Sequence, residues 1–398
     1  MRKDLMPQSA ILLLAIMLWP TWLAGATFNI QDHGATPDDD TDDTAAIQAA
    51  LDACAEAGGG IVFVPSGTYM IARQSNEPAI LTLGSNTILE GEGTVSTLKF
   101  VPQVNESNFW RMIGAKRGLV EHITIRDLRL DGSTTHTEYA GKYEQNHGIF
   151  FYNKQEGEGV RHVTIENILA ENFSGDCIAV SQGSQNVTIR NVALRNYLRQ
   201  GVQMGGGNEA RDYLVTGVQG LPSDVKGAGS TLHIEHARGL KNVILANNHC
   251  TRSLLAGGVD GLVIRGNVVE GRIWGNRNRN LVVAGNVVRS RPNQEPGGRP
   301  MIFLGYTRQA LVTGNTVESD VPERNGLYIW GNHKSPDNVP RDIVVANNIV
   351  RVQGTGIDFN NVESGRIFGN QVIVPEGERS VVLRRSDNVR TDQATPQN

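Results

Sequence analysis

The stretch "VIRGNVVEGRIWGNRNRNLVVAGN", residues 263–286, states one phrase twice: a run of β-formers, a spacer, then Asn, first at Asn267 and again at Asn286. The phrase occurs elsewhere as "VTIEN" ending at Asn167, "VTIRN" at Asn191, "VILAN" at Asn247, "LVTGN" at Asn315, "VVANN" at Asn347 and "RIFGN" at Asn370. Weaker copies are "ITIRD" at Asp127 and "YLVTG" at Gly217. Copies recur about 19 to 40 residues apart, the period of a solenoid. One such unit is too small to bury its own apolar face, so units stack and bury a continuous core. The chain therefore reads as all-β, a right-handed parallel β-helix. The Asn in every phrase is expected at a bend, where it tolerates left-handed backbone and where stacked amides hydrogen-bond from coil to coil. That makes these Asn residues structural.

Between the phrases lies a second strand per coil: "HGIFFYN", "GDCIAVS", "QGVQMGG", "STLHIEH", "GRIWGN", "PMIFLGY", "NGLYIWG" and "TGIDFNN". Alternation sends Ile149, Ile178, Val202, Leu232, Ile273, Ile302, Leu327 and Ile357 inward. It sends Phe150, Ala179, Gln203, His233, Trp274, Phe303, Tyr328 and Asp358 outward, followed two residues on by Tyr152, Ser181, Glu235, Trp330 and Asn360. This outer face carries bulky and charged groups and is the expected binding surface. Flat rings at Tyr152, Trp274, Phe303, Tyr328 and Trp330 suit sugar faces. Arg272, Arg277, Arg308, Lys334, Arg384 and Arg385 are expected on the same side, to hold carboxylates or sulfates.

Bulk composition agrees with many short strands and tight turns: 45 Gly, 39% hydrophobic, 20% charged and few aromatics. Arg2 and Lys3 precede "AILLLAIMLWPTWLAGA", and Ala24-Gly25-Ala26 is a small-residue cleavage site, so residues 1–26 read as a signal peptide and the mature chain as secreted or periplasmic. No further apolar stretch implies a membrane span. Cys54, Cys177 and Cys250 are far apart, so neither a disulfide framework nor a zinc site is expected. Residues 27–240 are net acidic and residues 241–398 net basic, but nothing resembles a nucleic-acid module.

The mature chain opens differently. "TDDT" offers N-caps, and Ile47, Ala50, Leu51 and Cys54 form one apolar stripe at helical spacing, stopped by Gly58-Gly59-Gly60. Such a helix caps the open end of a stack. The acidic run Asp38–Asp43 lacks the spacing of a calcium loop and reads as helix capping, so no metal or other cofactor is expected. The expected organisation is one β-helix domain over 27–390, with 27–70 as its cap and first strands, and a frayed tail over 391–398.

"DHGATPDDDTDDTAAIQAALDAC…GGGIVFVPSGTY" resembles the opening of the pectate-lyase-superfamily β-helix domain, shared by polygalacturonases, rhamnogalacturonase-like proteins, alginate epimerase modules and phage tailspikes. With the repeats, the resemblance covers nearly all of 27–390. It implies the fold but not the reaction, since that superfamily includes hydrolases, lyases, epimerases and proteins that only bind glycans. "GDCIAVSQG" is similar to the polygalacturonase run Asp-Asp-Cys-Ile-Ala-Val. In that register Asp176 stands at the second Asp and Gly175 at the first, His147 at a further Asp, Gln200 at the His, and His233 and Glu235 at two substrate-holding cations. The Asp-Pro-His motif of alginate epimerases is absent from this sequence.

Independently of the family, His147, Asp176, Arg199 or Gln200, and His233 with Glu235 fall in successive coils, and His147, Asp176, His233 and Glu235 are expected to emerge side by side into water. Strands ~4.8 Å apart put Asp176 and Glu235 ~10 Å apart along the axis, within reach of an inverting glycosidase pair. Hydrolysis by Asp176 and Glu235, with Asp176 as the acid and a charged His233 depressing Glu235, is the leading expectation. Proton abstraction beside a uronate carboxylate, with His147 or His233 as base and Arg199 as neutraliser, is the alternative, and glycan binding without catalysis is the third. The expected partner is a polysaccharide, possibly acidic.

Overall fold

The computed structural model describes residues 25–74, 77, 79–101, 110–133, 145–223, 225, 229–290 and 299–392. Residues 1–24 of the expected signal peptide, residues 291–298, and residues 393–398 of the expected tail lie outside the described residues.

Most coils hold three short strands rather than two, and in Leu119–Asp131 and Gly159–Phe173 the second and third run together as one long strand. In one coil the three are Ile178–Val180, Ser184–Arg190 and Ala193–Tyr197. The first strands of successive coils build a 12-stranded parallel sheet, while the second and third run on round a bend and share a 24-stranded one. The result is a right-handed parallel β-helix. The inward column is as the alternation requires: Ile149, Ile178, Val202 and Leu232 lie in register, and all are fully buried. One coil escapes the sequence reading. Leu254–Gly257 pairs with Leu232–Ile234 on one side and Ile273–Asn276 on the other, so Leu255 stands between His233 and Trp274. The expected tail also begins inside a strand, since Asn388–Thr391 pairs with Ser364–Phe368.

The repeated Asn does two separate jobs, one residue apart. Asn191 and Asn247 take left-handed backbone at the bend (φ 53° and 57°), as expected. In "VIRGN" and "VVAGN" that position belongs to Gly266 and Gly285, both with φ 63°. Asn267 and Asn286 come one residue later, where the side chain points into the core. There the amides form a buried ladder. Asn248 Nδ2 donates to Asn267 Oδ1 at 2.9 Å, Asn267 to Asn286 at 2.9 Å and Asn286 to Asn315 at 2.9 Å. Asn315 donates to Asn348 at 2.9 Å and Asn348 to Asn370 at 2.8 Å. Each Oδ1 also accepts the backbone N–H of the preceding rung, as from Asn267 N to Asn286 Oδ1 at 3.0 Å. The corresponding residues of earlier coils, Leu128, Ile168, Val192 and Val218, are apolar and buried. The core thus changes from aliphatic to amide-laddered partway along.

The helix Thr44–Glu56 buries Ile47, Ala50, Leu51 and Cys54 over the first coils. Its capping contact is displaced by one residue. Asp42 accepts from Thr44 N at 3.0 Å, while Asp43 accepts from Thr36 N and Met70 N at 2.8 and 3.2 Å, tying the entry loop to the first strands.

Candidate functional site

Register brings the predicted residues together on the 12-stranded sheet. His147 opens the strand His147–Phe151, Asp176 precedes Ile178–Val180, Arg199 and Gln200 precede Val202–Met204, and His233 lies in Leu232–Ile234 with Glu235 just beyond it. They do not all face water. Asp176 lies two residues before inward Ile178, and His147 two before inward Ile149, so both share the inward parity. Asp176 is 1% exposed and His147 is fully buried. The expectation that both emerge into solvent is therefore corrected, and the signal was the alternation itself. Glu235 and His233 have the outward parity, and the Glu235 side chain is 29% exposed.

Below the surface, His147 Nδ1 lies 3.1 Å from Asp176 Oδ2 and 3.0 Å from Asp176 N. The ring donates to the carboxylate or accepts from the amide according to its tautomer. Asp176 Oδ1 accepts the backbone N–H of Gln200 at 3.0 Å. Gln200 Nε2 lies 2.9 Å from His233 Nδ1 and links this buried pair to the outer face. An amide N–H donates, so Nδ1 accepts and the neutral ring carries its proton on Nε2. Burial pushes the His233 pKa down, opposed by the nearby Glu235 and Asp176 carboxylates. His233 is therefore neutral at pH 7, not the charged neighbour expected for Glu235. The positive charge comes instead from Arg199, whose Nη2 lies 3.3 Å from Glu235 Oε2 and whose Nε lies 3.9 Å from Asp176 Oδ1.

Further along the face the aromatics form a wall. Trp274 and Phe303 stack with ring centroids 3.9 Å apart, and the edge of Tyr328 follows at 5.9 Å. Phe303 is 7% exposed, sandwiched by its neighbours, so it supports the wall rather than offering a face to a sugar. Tyr152 is 41% exposed. Trp330 packs on Tyr306 at 4.8 Å. Arg272 lies over Trp274 and Arg277 over Tyr306. Arg308 is displaced from the expected face. It opens the next strand, Arg308–Thr313, and its charge is met by Asp337 at 3.0 Å.

Residues 27–122 match the family described as rhamnogalacturonase A/epimerase, pectate lyase-like. The described chain is a right-handed parallel β-helix whose opening resembles that family. Among curated proteins it is similar to mannuronan C5-epimerase AlgE5 of Azotobacter vinelandii, 35% identical over 167 residues, 41% of this chain and 16% of the relative. It is also similar to alginate lyase 7 of the same organism, 30% identical over 172 residues, 41% of this chain and 19% of the relative. The chain thus spans less than a fifth of either relative's length. Among solved structures, the surface adhesin PfbA of Streptococcus pneumoniae superposes with a TM-score of 0.69 at 17% identity, over 92% of this chain and 100% of that one, a likeness of fold.

No group of three or more His, Cys, Asp or Glu suited to a metal ion occurs among the described residues. The sequence reading missed Arg111. It pairs in register with His147, one coil before the site, and its guanidinium lies 4.1 Å from the Phe150 ring centroid. Its strand, "RMIGA", carries no Asn phrase to mark it. An open cleft of ≈ 640 Å³, lined by Arg117, Tyr152, Asn153, Lys154, Gln155 and Glu158, borders the same end of the face.

Proposed function

We propose that this protein is an exported enzyme that removes the C5 proton of a uronate within an acidic polysaccharide lying along the outer strand face. One observation carries the reading: Arg199 stands between Asp176 and Glu235, beside a neutral His233. Acid/base hydrolysis needs two carboxyls facing one groove with room for water between them. Here one carboxylate is buried and a guanidinium lies between the two. The same set suits proton abstraction. Arg199 and the His233 Nε2–H neutralise the sugar carboxylate and the negative charge that spreads onto it as the C5–H bond breaks. Glu235 accepts that proton. His233 then polarises rather than acting as base, and Asp176 with His147 positions Gln200 from beneath. Collapse of the resulting enolate either returns a proton to C5, which is epimerisation, or expels the O4 substituent, which is elimination. The mannuronan epimerases and the alginate lyase among the relatives support uronate chemistry without choosing between these ends.

The test is incubation with mannuronan in D₂O. Deuterium at C5 without new absorbance marks epimerisation, and unsaturated ends with absorbance mark elimination. New reducing ends alone would return the reading to hydrolysis, and no change in any polyuronate would leave a binding module. Glu235→Gln is expected to lower turnover at least ~100-fold, with the melting temperature kept.

A further inference from the structure

We propose that Arg117, Lys154 and Tyr152 form a second carboxylate-binding subsite, on the N-terminal side of the catalytic set, for another uronate of the same polysaccharide chain. The inference rests on the acidic-polysaccharide reading above and extends it to a position that the catalytic set does not reach. Tyr152 belongs to the outer face by its place in the stack. It follows buried Phe151 as Glu235 follows buried Ile234. The strand ladder continues through this position: Ser181 N donates to Phe151 O, Gly205 N to Val180 O and Glu235 N to Met204 O, each at 2.9 Å. Tyr152, Ser181, Gly205 and Glu235 thus stand in one outward row, and Tyr152 lies ~14 Å from Glu235 along the axis at the usual strand spacing. Between them the row is low. Ser181 is buried, and Gly205 has no side chain, since a Cβ there would meet Ser181 Oγ at 2.2 Å. A floor free of bulky groups therefore joins the exposed Tyr152 ring to Glu235.

Tyr152 also lines the open cleft of ≈ 640 Å³, with Arg117 and Lys154 as its cations. Both cations are exposed, and among the described residues neither is paired with a carboxylate. The carboxylate on the cleft wall, Glu158, is already engaged: Asn153 Nδ2 donates to its Oε2 at 2.9 Å, and the Gln155 side-chain amide donates to its Oε1 at 2.7 Å. Lys154 Nζ lies 5.6 Å from the Tyr152 ring centroid, where cation–π attraction holds its charge beside the ring. The loop that carries Lys154 is pinned to the stack. Asn208 Nδ2 is within hydrogen-bond reach of Asn153 O (3.1 Å), Gln155 O and Glu158 O (3.3 Å), and Asn153 N donates to Gln182 O at 2.8 Å. The cleft is thus built before a ligand arrives. Two positive charges and a flat ring complement a uronate, which carries a carboxylate on a ring with apolar C–H faces. A linear polyuronate has one carboxylate per sugar, so a chain that crosses the low row from Glu235 brings one of them to Arg117 and Lys154. A sugar held there fixes the chain along the axis while Arg199 holds the one that reacts.

Calorimetry with mannuronate oligomers of increasing length tests this on the whole protein. In the wild type, affinity is expected to step up by about 10-fold or more once an oligomer spans from Glu235 to the cleft. Arg117→Ala combined with Lys154→Ala is expected to abolish that step, while Lys154→Arg alone keeps it. Oligomers whose carboxylates have been reduced to alcohols are expected to show no step with either protein. Both side chains are exposed, so the double variant is expected to keep the wild-type melting temperature. A step of equal size in the wild type and the double variant, or no step in the wild type, overturns the subsite. So does a step that survives carboxyl reduction. If the step depends on Arg117 and Lys154 but no polyuronate is chemically altered, the subsite stands and the proposed reaction falls. If polyuronates react and no step appears, the reaction stands and the subsite falls.

Discussion

At the residue scale, the alternation of a strand explains what was legible and what was misread. Glu235 and His233 were correctly sent outward by counting from Leu232. The same count places Asp176 and His147 inward, yet the likeness of "GDCIAVS" to a catalytic motif drew Asp176 to the surface. The links from Gln200 to His233 and from Arg199 to Glu235 were beyond any local pattern, because they join residues 33 and 36 positions apart. Asp358 offers a prediction of its own. It is 2% exposed, and burial raises its pKa to about 6 despite Arg384 at 3.1 Å. The folded protein thus holds this proton more tightly than the unfolded chain, whose value is near 3.8. The ionised form is strained above pH 6, and that cost disappears as the pH falls below the unfolded value. Asp358→Asn is expected to gain about 2 kcal/mol at pH 8 and almost nothing at pH 4, read from denaturant melts at the two pH values.

At the element scale, the Asn phrase was found but its two meanings were merged. Sequence comparison aligns letters, whereas the structure distinguishes a left-handed backbone from a buried amide one residue later. In "VTIRN" the Asn makes the bend, and in "VVAGN" the Gly does so and frees the Asn for the ladder. The two positions are expected to respond differently to substitution. Gly285 has φ 63° and open space where a side chain would go, so Gly285→Asn is expected to be close to neutral. Gly285→Val should cost about 1–2 kcal/mol from backbone strain. Asn286→Ala removes the acceptor for Asn267 N and for its side-chain amide, together with the donor to Ile264 O. That loss is expected to cost roughly 2–4 kcal/mol. Urea melts of the three variants check the ordering.

At the scale of the whole molecule, the repeat made the architecture and the inward column legible, because stacking forces one rule on every coil. The third strand of most coils and the coil at Leu254–Gly257 were not legible, since strands of two to four residues carry too little pattern. Successive ladder amides at Asn248, Asn267 and Asn286 are 19 residues apart. Excising residues 267–285 should therefore join Gly266 to Asn286 with strands and ladder in step, and circular dichroism is expected to show native β content with a cooperative melt. The variant loses Trp274, and its grip on long oligosaccharides should weaken more than its grip on short ones. The bend and the ladder also give the protein a length scale. If whole rungs can be inserted or withdrawn with the fold intact, the outer strand face is graduated in steps of one strand spacing, and duplicating or losing a coil would change the length of the proposed polysaccharide groove while leaving the contacts at Arg199 in place.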